Sequence, residues 1–155
     1  KNSKEIKINL IFIGEHRSKE FNSCEFFNEM KNEMVDPDKF IIKNAIFGEE
    51  KWRELAGFDL LILPSRSEGM PNVVLEAMSI GIPCMVSPNT NMKEVILASN
   101  SGWVVESDKN EIEKFFLYLN DVQKTDLLEK GKNAKNFLKD NLTWDRIAKL
   151  DYLEK

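Results

Sequence analysis

One histidine, His16, and two cysteines, Cys24 and Cys84, are all that 155 residues contain of either type. A lone imidazole excludes a multi-histidine metal site. Its neighbours also lack the ligand spacing of a metal loop, so no metal is expected. Cys24 falls on the apolar face of a predicted helix and Cys84 inside a predicted strand. Both read as buried free thiols of a reducing compartment rather than as a disulfide. A basic surplus is missing too: 22 basic residues stand against 26 acidic ones, the net charge is -4, and the cations are scattered. That excludes the basic stripe of a nucleic-acid binder. No apolar run approaches the roughly 20 residues of a membrane span, and no signal-peptide pattern is present, so a cytoplasmic location is expected. With 42% apolar and 31% charged residues and no repeat, the chain has the composition to bury a core. A single domain over residues 1–155 is the natural reading.

Strand and helix signals alternate over the first two thirds. INLIFI at 8–13 is apolar almost throughout, as a parallel strand covered on both faces should be, and Gly14 ends it. Phe21, Cys24, Phe27, Met30 and Met34 recur at helical spacing over 18–35. A short strand at 40–42, a short helix at 49–56 and a strand at 58–63 come next. A helix from Pro71 then leads to strand 83–87, a helix near 91–98 and a last strand at 102–105. Beyond Asp108 the pattern is purely helical. The expected architecture is α/β, a Rossmann-like parallel sheet with helices on both faces and a helical C-terminal end. Ligands of such sheets bind beyond the carboxyl ends of the strands. Three loops emerge there: after Gly14, around Phe47 and Gly48, and from Pro64 to Pro71.

The third loop carries the chemistry. EGMPNVVLEAMSIGIP, residues 68–83, sets Glu68 and Glu76 around a well-marked helix start. Gly69 is read as the turn, Pro71 as the first helical residue, and Gly81 with Pro83 as the stop. At about 100° per residue, Asn72, Glu76 and Ser79 form one thin polar stripe on an otherwise apolar helix. Two readings of Glu76 stand: a solvated acid in a surface window, or a carboxylate gripping a cis-diol such as that of ribose. Glu68 is either an exposed loop acid or a sugar contact. Arg66 is either solvated or a phosphate cation. Free N–H groups at Asn72 and Val73 favour an anion at the helix start. A diphosphate held there would leave its ribose near one glutamate and its sugar near the other. Cys84, Met78, Phe21, Phe26 and Phe27 are assigned to the core, and Trp52 and Trp144 to helix packing.

These residues in this order resemble the donor-binding domain of the family-four, or group 1, retaining glycosyltransferases. That family is marked by two glutamates separated by seven residues, preceded by a strand ending in Pro-Ser and followed by Ala-Met and Gly-x-Pro. Here the segment reads PSRSEGMPNVVLEAMSIGIPCMVS. INLIFIG, AIFGEEKWRELAGFDLLILPS, MKEVI, SGWVV and LTWDRIA extend the resemblance over nearly the whole chain. It implies the C-terminal half of a GT-B enzyme that transfers sugar from a nucleotide diphosphate sugar, with retention and without metal or other cofactor. The acceptor would be a glycan or lipid-linked glycan of cell-surface polysaccharide or glycolipid synthesis. Glu68 would steady the charge that develops on the sugar. The backbone at Gly69, Met70, Asn72 and Val73 would hold sugar and phosphate oxygens, and Glu76 the ribose hydroxyls. Phe47 and Gly48 fall where the base lies, Gly14 borders the site, and Glu94 is given a structural role.

The departures are specific. The family's first strand, with its Gly-Arg and Lys-Gly cations, has no counterpart, nor has the N-terminal acceptor domain. The chain is therefore expected to be an inactive fragment whose sheet is interrupted, re-paired or completed by a neighbour. Any attachment to the inner membrane face would run through the missing half. A second glycine after Gly14 is replaced by Glu15, and the Gly-Gly usual before Glu94 by Pro88, Asn89, Thr90 and Asn91. Phe115, Phe116, Trp144 and Tyr152 are expected to have lost a partner surface. Two alternatives compete: a non-catalytic α/β binding module, which would turn over no activated sugar, and an epimerase-like GT-B relative, which would need no acceptor.

Overall fold

The computed structural model describes residues 8–14 and 37–141. His16, the predicted helix at 18–35 with Cys24 and its phenylalanines, and the LTWDRIA segment with Trp144 and Tyr152 lie outside the described residues. The chain divides into two compact units, residues 1–54 and 55–155, and the division falls within one helix.

In the first unit, β1 (Leu10–Ile13) runs parallel to β2 (Phe40–Lys43), with Leu10 opposite Phe40 and Ile13 opposite Lys43. The Gly14 N–H donates to the Lys43 carbonyl at 3.2 Å and continues the ladder one residue further. Helix α1 (Gly48–Ala56) opens with Glu49 and Glu50, acids placed where the helix dipole favours them. Lys43 Nζ lies 2.6 Å from Glu54 Oε1 and ties the end of β2 to α1. The expectation that 8–13 is covered on both faces does not hold. Phe12 is 42% exposed and Ile41 43%, because a two-stranded ladder offers too little neighbouring surface to enclose both sides. Trp52 is likewise exposed rather than packed, with Lys51 Nζ 5.5 Å from its ring centre.

The second unit holds three parallel strands in the order β3 (Leu61–Leu63), β4 (Cys84–Val86) and β5 (Gly102–Val104). Parallel neighbours need crossovers, and helices α2 (Asn72–Ile80) and α3 (Lys93–Ser99) supply them. Helices α4 (Lys109–Leu119) and α5 (Lys124–Asn141) follow. The central strand β4 is buried along its length, as its position between two others requires. Val74, Ala77 and Met78 of α2 join Cys84, Val86, Met92, Ile96 and Ala134 in one core, with Cys84 a free thiol as expected. Each large side chain so buried contributes about 1.5–3 kcal/mol. Gly81 caps α2 in the left-handed region, φ 87°, which glycine adopts without the steric cost of a Cβ.

Among the described residues no ladder joins β1 or β2 to the second sheet. Strand β3 is shorter than 58–63 because the Phe58 N–H closes a turn onto the Leu55 carbonyl, and strand pairing starts only where Leu61 bonds to Pro83. Phe115 is not orphaned: it is buried, and Trp103 of β5 meets it edge-on at 5.7 Å between ring centres.

Candidate functional site

Loops leaving the carboxyl ends of β3 and β4, residues 64–71 and 87–92, lie side by side because their strands are paired. The first contains Arg66, Glu68, Gly69 and Met70, all exposed. It runs into α2, whose N-cap is Pro71 rather than a residue before it. Pro71 has φ −72° and ψ 112°, extended rather than helical, while its carbonyl already accepts the Val74 N–H at 3.0 Å. Pro71 therefore stands one position outside the helix, not at its first residue. Among the described residues no side chain caps this end. The first amides, Asn72 and Val73, are consequently without a side-chain acceptor, at the positive end of a nine-residue helix dipole.

The predicted stripe is present. Asn72 and Ser79 are exposed and Glu76 is half-buried, while Val74, Ala77 and Met78 on the same helix are fully buried. The Ser79 hydroxyl donates back to the Glu76 carbonyl at 2.7 Å. Glu68 takes a 3.4 Å hydrogen bond from the Ser65 hydroxyl. Gly69 was read as a turn needing unusual backbone freedom, but its φ is not positive. What distinguishes it is open space: a Cβ there would meet nothing within 4 Å.

The structure thus gathers Arg66, Glu68, Gly69, Met70, Asn72, Val73 and Glu76 on one loop and helix start in the second unit. The remaining candidates belong to the first unit. Gly14 closes the β1–β2 ladder, Phe47 is 74% exposed, and Gly48 opens α1 with φ 60°. At the carboxyl end of β2, residues 42–46 with Glu50 and Glu54 line an open cleft of about 540 Å³ that stops one residue short of Phe47. Among the described residues no group of three His, Cys, Asp or Glu side chains is disposed to hold a metal ion, and no helix is long and apolar enough to cross a membrane.

Two residues escaped the sequence reading. Ser87 and Thr90, both buried, sit in the second loop and bind the first one to it. The signal available was the replacement of a Gly-Gly pair by Pro88–Asn91, which adds side chains where the family has none.

A parallel βα unit with a bare helix start between two acids at its carboxyl edge belongs to the Rossmann-like half of a GT-B architecture. The solved sucrose-phosphate synthase of Thermosynechococcus elongatus superposes over 94% of this chain and 37% of its own, with a TM-score of 0.76 at 17% identity. The family model for glycosyl transferases group 1 matches residues 1–120, and the chain belongs to that family. It is similar to the UDP-Gal:alpha-D-GlcNAc-diphosphoundecaprenol alpha-1,3-galactosyltransferase of Escherichia coli, 40% identical over 68 residues, which are 44% of this chain and 14% of that one. It is also similar to the alpha-galactosylglucosyldiacylglycerol synthase of Streptococcus pneumoniae, 31% identical over 135 residues, 83% of this chain and 34% of the relative. The chain spans about a third of one relative's length and about a seventh of the other's.

Proposed function

We propose that the chain is the donor-binding domain of a glycosyltransferase that moves a sugar, with retained anomeric configuration, from a nucleotide diphosphate sugar to a glycan or lipid-linked acceptor. The observation that carries this reading is the uncapped start of α2, flanked by Glu68 before it and half-buried Glu76 one turn in. Breaking the bond between the anomeric carbon and its phosphate oxygen leaves negative charge on the diphosphate and positive charge on the sugar ring. The Asn72 and Val73 amides face the first, in the manner of helix starts that hold phosphate. The Glu68 carboxylate opposes the second. The open face of Gly69 lets a ligand lie against the backbone, and Met70 and Arg66 border the same space.

Glu76 takes the ribose hydroxyls. On the family resemblance, Gly14 and the Phe47 and Gly48 loop of the first unit remain the candidates for contacts to the base. The helix amides and Arg66 receive the diphosphate charge in this reading, which requires no metal. The names of the two relatives, one acting on a diphosphoundecaprenol and one a diacylglycerol glycolipid synthase, support a lipid-linked or glycolipid acceptor. Titration of UDP, GDP and ADP into the chain, followed by NMR and calorimetry, tests the proposal. One nucleotide is expected to bind and to shift the Asn72, Val73 and Glu76 amides. Glu76→Ala should weaken that binding about tenfold, the loss of a charge-assisted hydrogen-bond pair worth some 1.5–3 kcal/mol. Equal affinity in mutant and parent would remove Glu76 from the ribose role.

A further inference from the structure

An exposed loop five residues long cannot by itself hold a carboxylate still, and the Ser65–Gly69 segment has no regular structure of its own. Its anchors come from the neighbouring loop. The Ser87 hydroxyl donates to the Ser65 carbonyl. The Glu68 N–H donates to Asn89 O at 3.3 Å, the Asn91 N–H donates to Gly69 O at 3.2 Å, and Glu68 and Thr90 form a one-residue parallel bridge. The second loop is locked in turn. Both the Thr90 hydroxyl (2.9 Å) and the Thr90 N–H (3.2 Å) donate to the Ser87 carbonyl, and the Thr90 carbonyl accepts the Lys93 N–H at the start of α3. Ser87 is 0% exposed and Thr90 2%. Burying hydroxyls is costly unless they are bonded, and both are bonded within this stitch.

We infer that Thr90, acting with Ser87, is a positioning residue for Glu68: its hydroxyl closes the second loop so that the bridge holds the Glu68 carboxylate against the donor sugar. The inference rests on the donor-binding reading above and goes beyond it, because it separates two grips. Glu76 stands on α2, whose seat is the packed face of Val74, Ala77 and Met78, and does not depend on the stitch. Glu68 stands on the stitched loop itself, through its own N–H and its bridge to Thr90. A displacement of about 1 Å in a positioned group is enough to forfeit its effect on a reacting centre.

The experiment measures, by calorimetry on the full chain, the affinities of UDP, GDP and ADP and of UDP-galactose, UDP-glucose, GDP-mannose and ADP-glucose. The readout is the ratio between a sugar nucleotide and its own diphosphate, which isolates the sugar contact. Thr90→Val keeps the shape but loses the hydroxyl. It should cut the ratio about fivefold or more, the weight of one hydrogen bond, while diphosphate affinity stays within about twofold. Thr90→Ser should restore the ratio. Amide hydrogen exchange at Glu68 and Asn91 should quicken in Thr90→Val while that at Met85 does not. Ser87→Ala carries the same expectation if Thr90→Val does not fold. An unchanged ratio in the variants, or a ratio of one in the parent, overturns the positioning role and leaves nucleotide binding standing. A parent that binds none of these nucleotides overturns the functional reading and the positioning role together.

Discussion

Gly131→Ala should destabilise the protein even though it replaces glycine inside an 18-residue helix. In isolation the change favours folding by about 1 kcal/mol, since alanine is the better helix former and glycine loses more backbone entropy. The structure opposes it. A methyl at 131 would lie 1.9 Å from the carbonyl oxygen of Gly81, 2.9 Å from its carbon and 3.4 Å from Pro83 Cδ. Ordinary contact begins near 3.4 Å, so α5 and the end of α2 must part by about 1.5 Å, and the obstructing atoms are backbone with no rotamer to yield. Overpacking of this kind costs typically 1–3 kcal/mol, and a backbone clash belongs at the top of that range. The net loss is about 2 kcal/mol, or a fall of about 4–8 °C in Tm for a chain of this length. Urea unfolding followed by circular dichroism reads it, with Lys132→Ala as an exposed control on the same helix. A variant as stable as the parent would falsify the close seating of α5 on the Gly81 cap. Because that cap ends the helix whose other end carries the candidate site, the same variant should also shift the Asn72 and Val73 amide resonances.

Three further outcomes are expected. Glu68→Gln should reduce affinity for a sugar nucleotide but not for its diphosphate, whereas Glu76→Ala should reduce both; identical patterns in calorimetry would dissolve the division of labour between the two acids. Burial pushes the Cys84 thiol from 9.0 up to about 12, so the unfolded chain releases its proton first as pH rises. The stabilisation is therefore full below pH 9 and lost progressively between 9 and 12; at pH 10.5 it should cost about 2 kcal/mol, absent from Cys84→Ala, and parallel pH profiles of unfolding would refute it. Asp108 caps α4 by accepting the Asn110 and Glu111 amides at 3.0 and 3.1 Å, so Asp108→Ala should lower stability by about 1 kcal/mol in urea titration, and no change would mean that solvent replaces the cap.

What was legible in the chain is what local physics determines. Apolar runs located every described strand; Gly14 and Pro64 directly follow two of them, and Pro88 stands two residues past a third. The proline, polar stripe and Gly81 located α2 for similar reasons. The errors arose where a distant residue decides. Pro71 stands outside the helix because its ψ is set by the loop it ends, which no propensity records. Phe115 looked unpartnered on α4 because its partner, Trp103, comes from a strand, and an amphipathic pattern says that a face is covered without saying by what. Gly131 carried a signal that was overlooked: a glycine amid KGKNAKNF opposes its own helix, and such conflicts mark a close approach elsewhere.

The candidate site divides along the same line. Its helix start and two acids are a local motif, written within nine consecutive residues, and so they were found at once. The stitch through Ser87 and Thr90 joins residues 22 apart and was invisible, since a serine at a strand end and a threonine in a loop have many uses. Substituting Pro88–Asn91 for two glycines exchanges a flexible turn for one that its own buried hydroxyl closes. A loop held that way presents Glu68 in one place before any ligand arrives. Preorganisation of this kind is what an electrostatic contribution to bond breaking requires, because a carboxylate that must first be ordered gives back part of its effect.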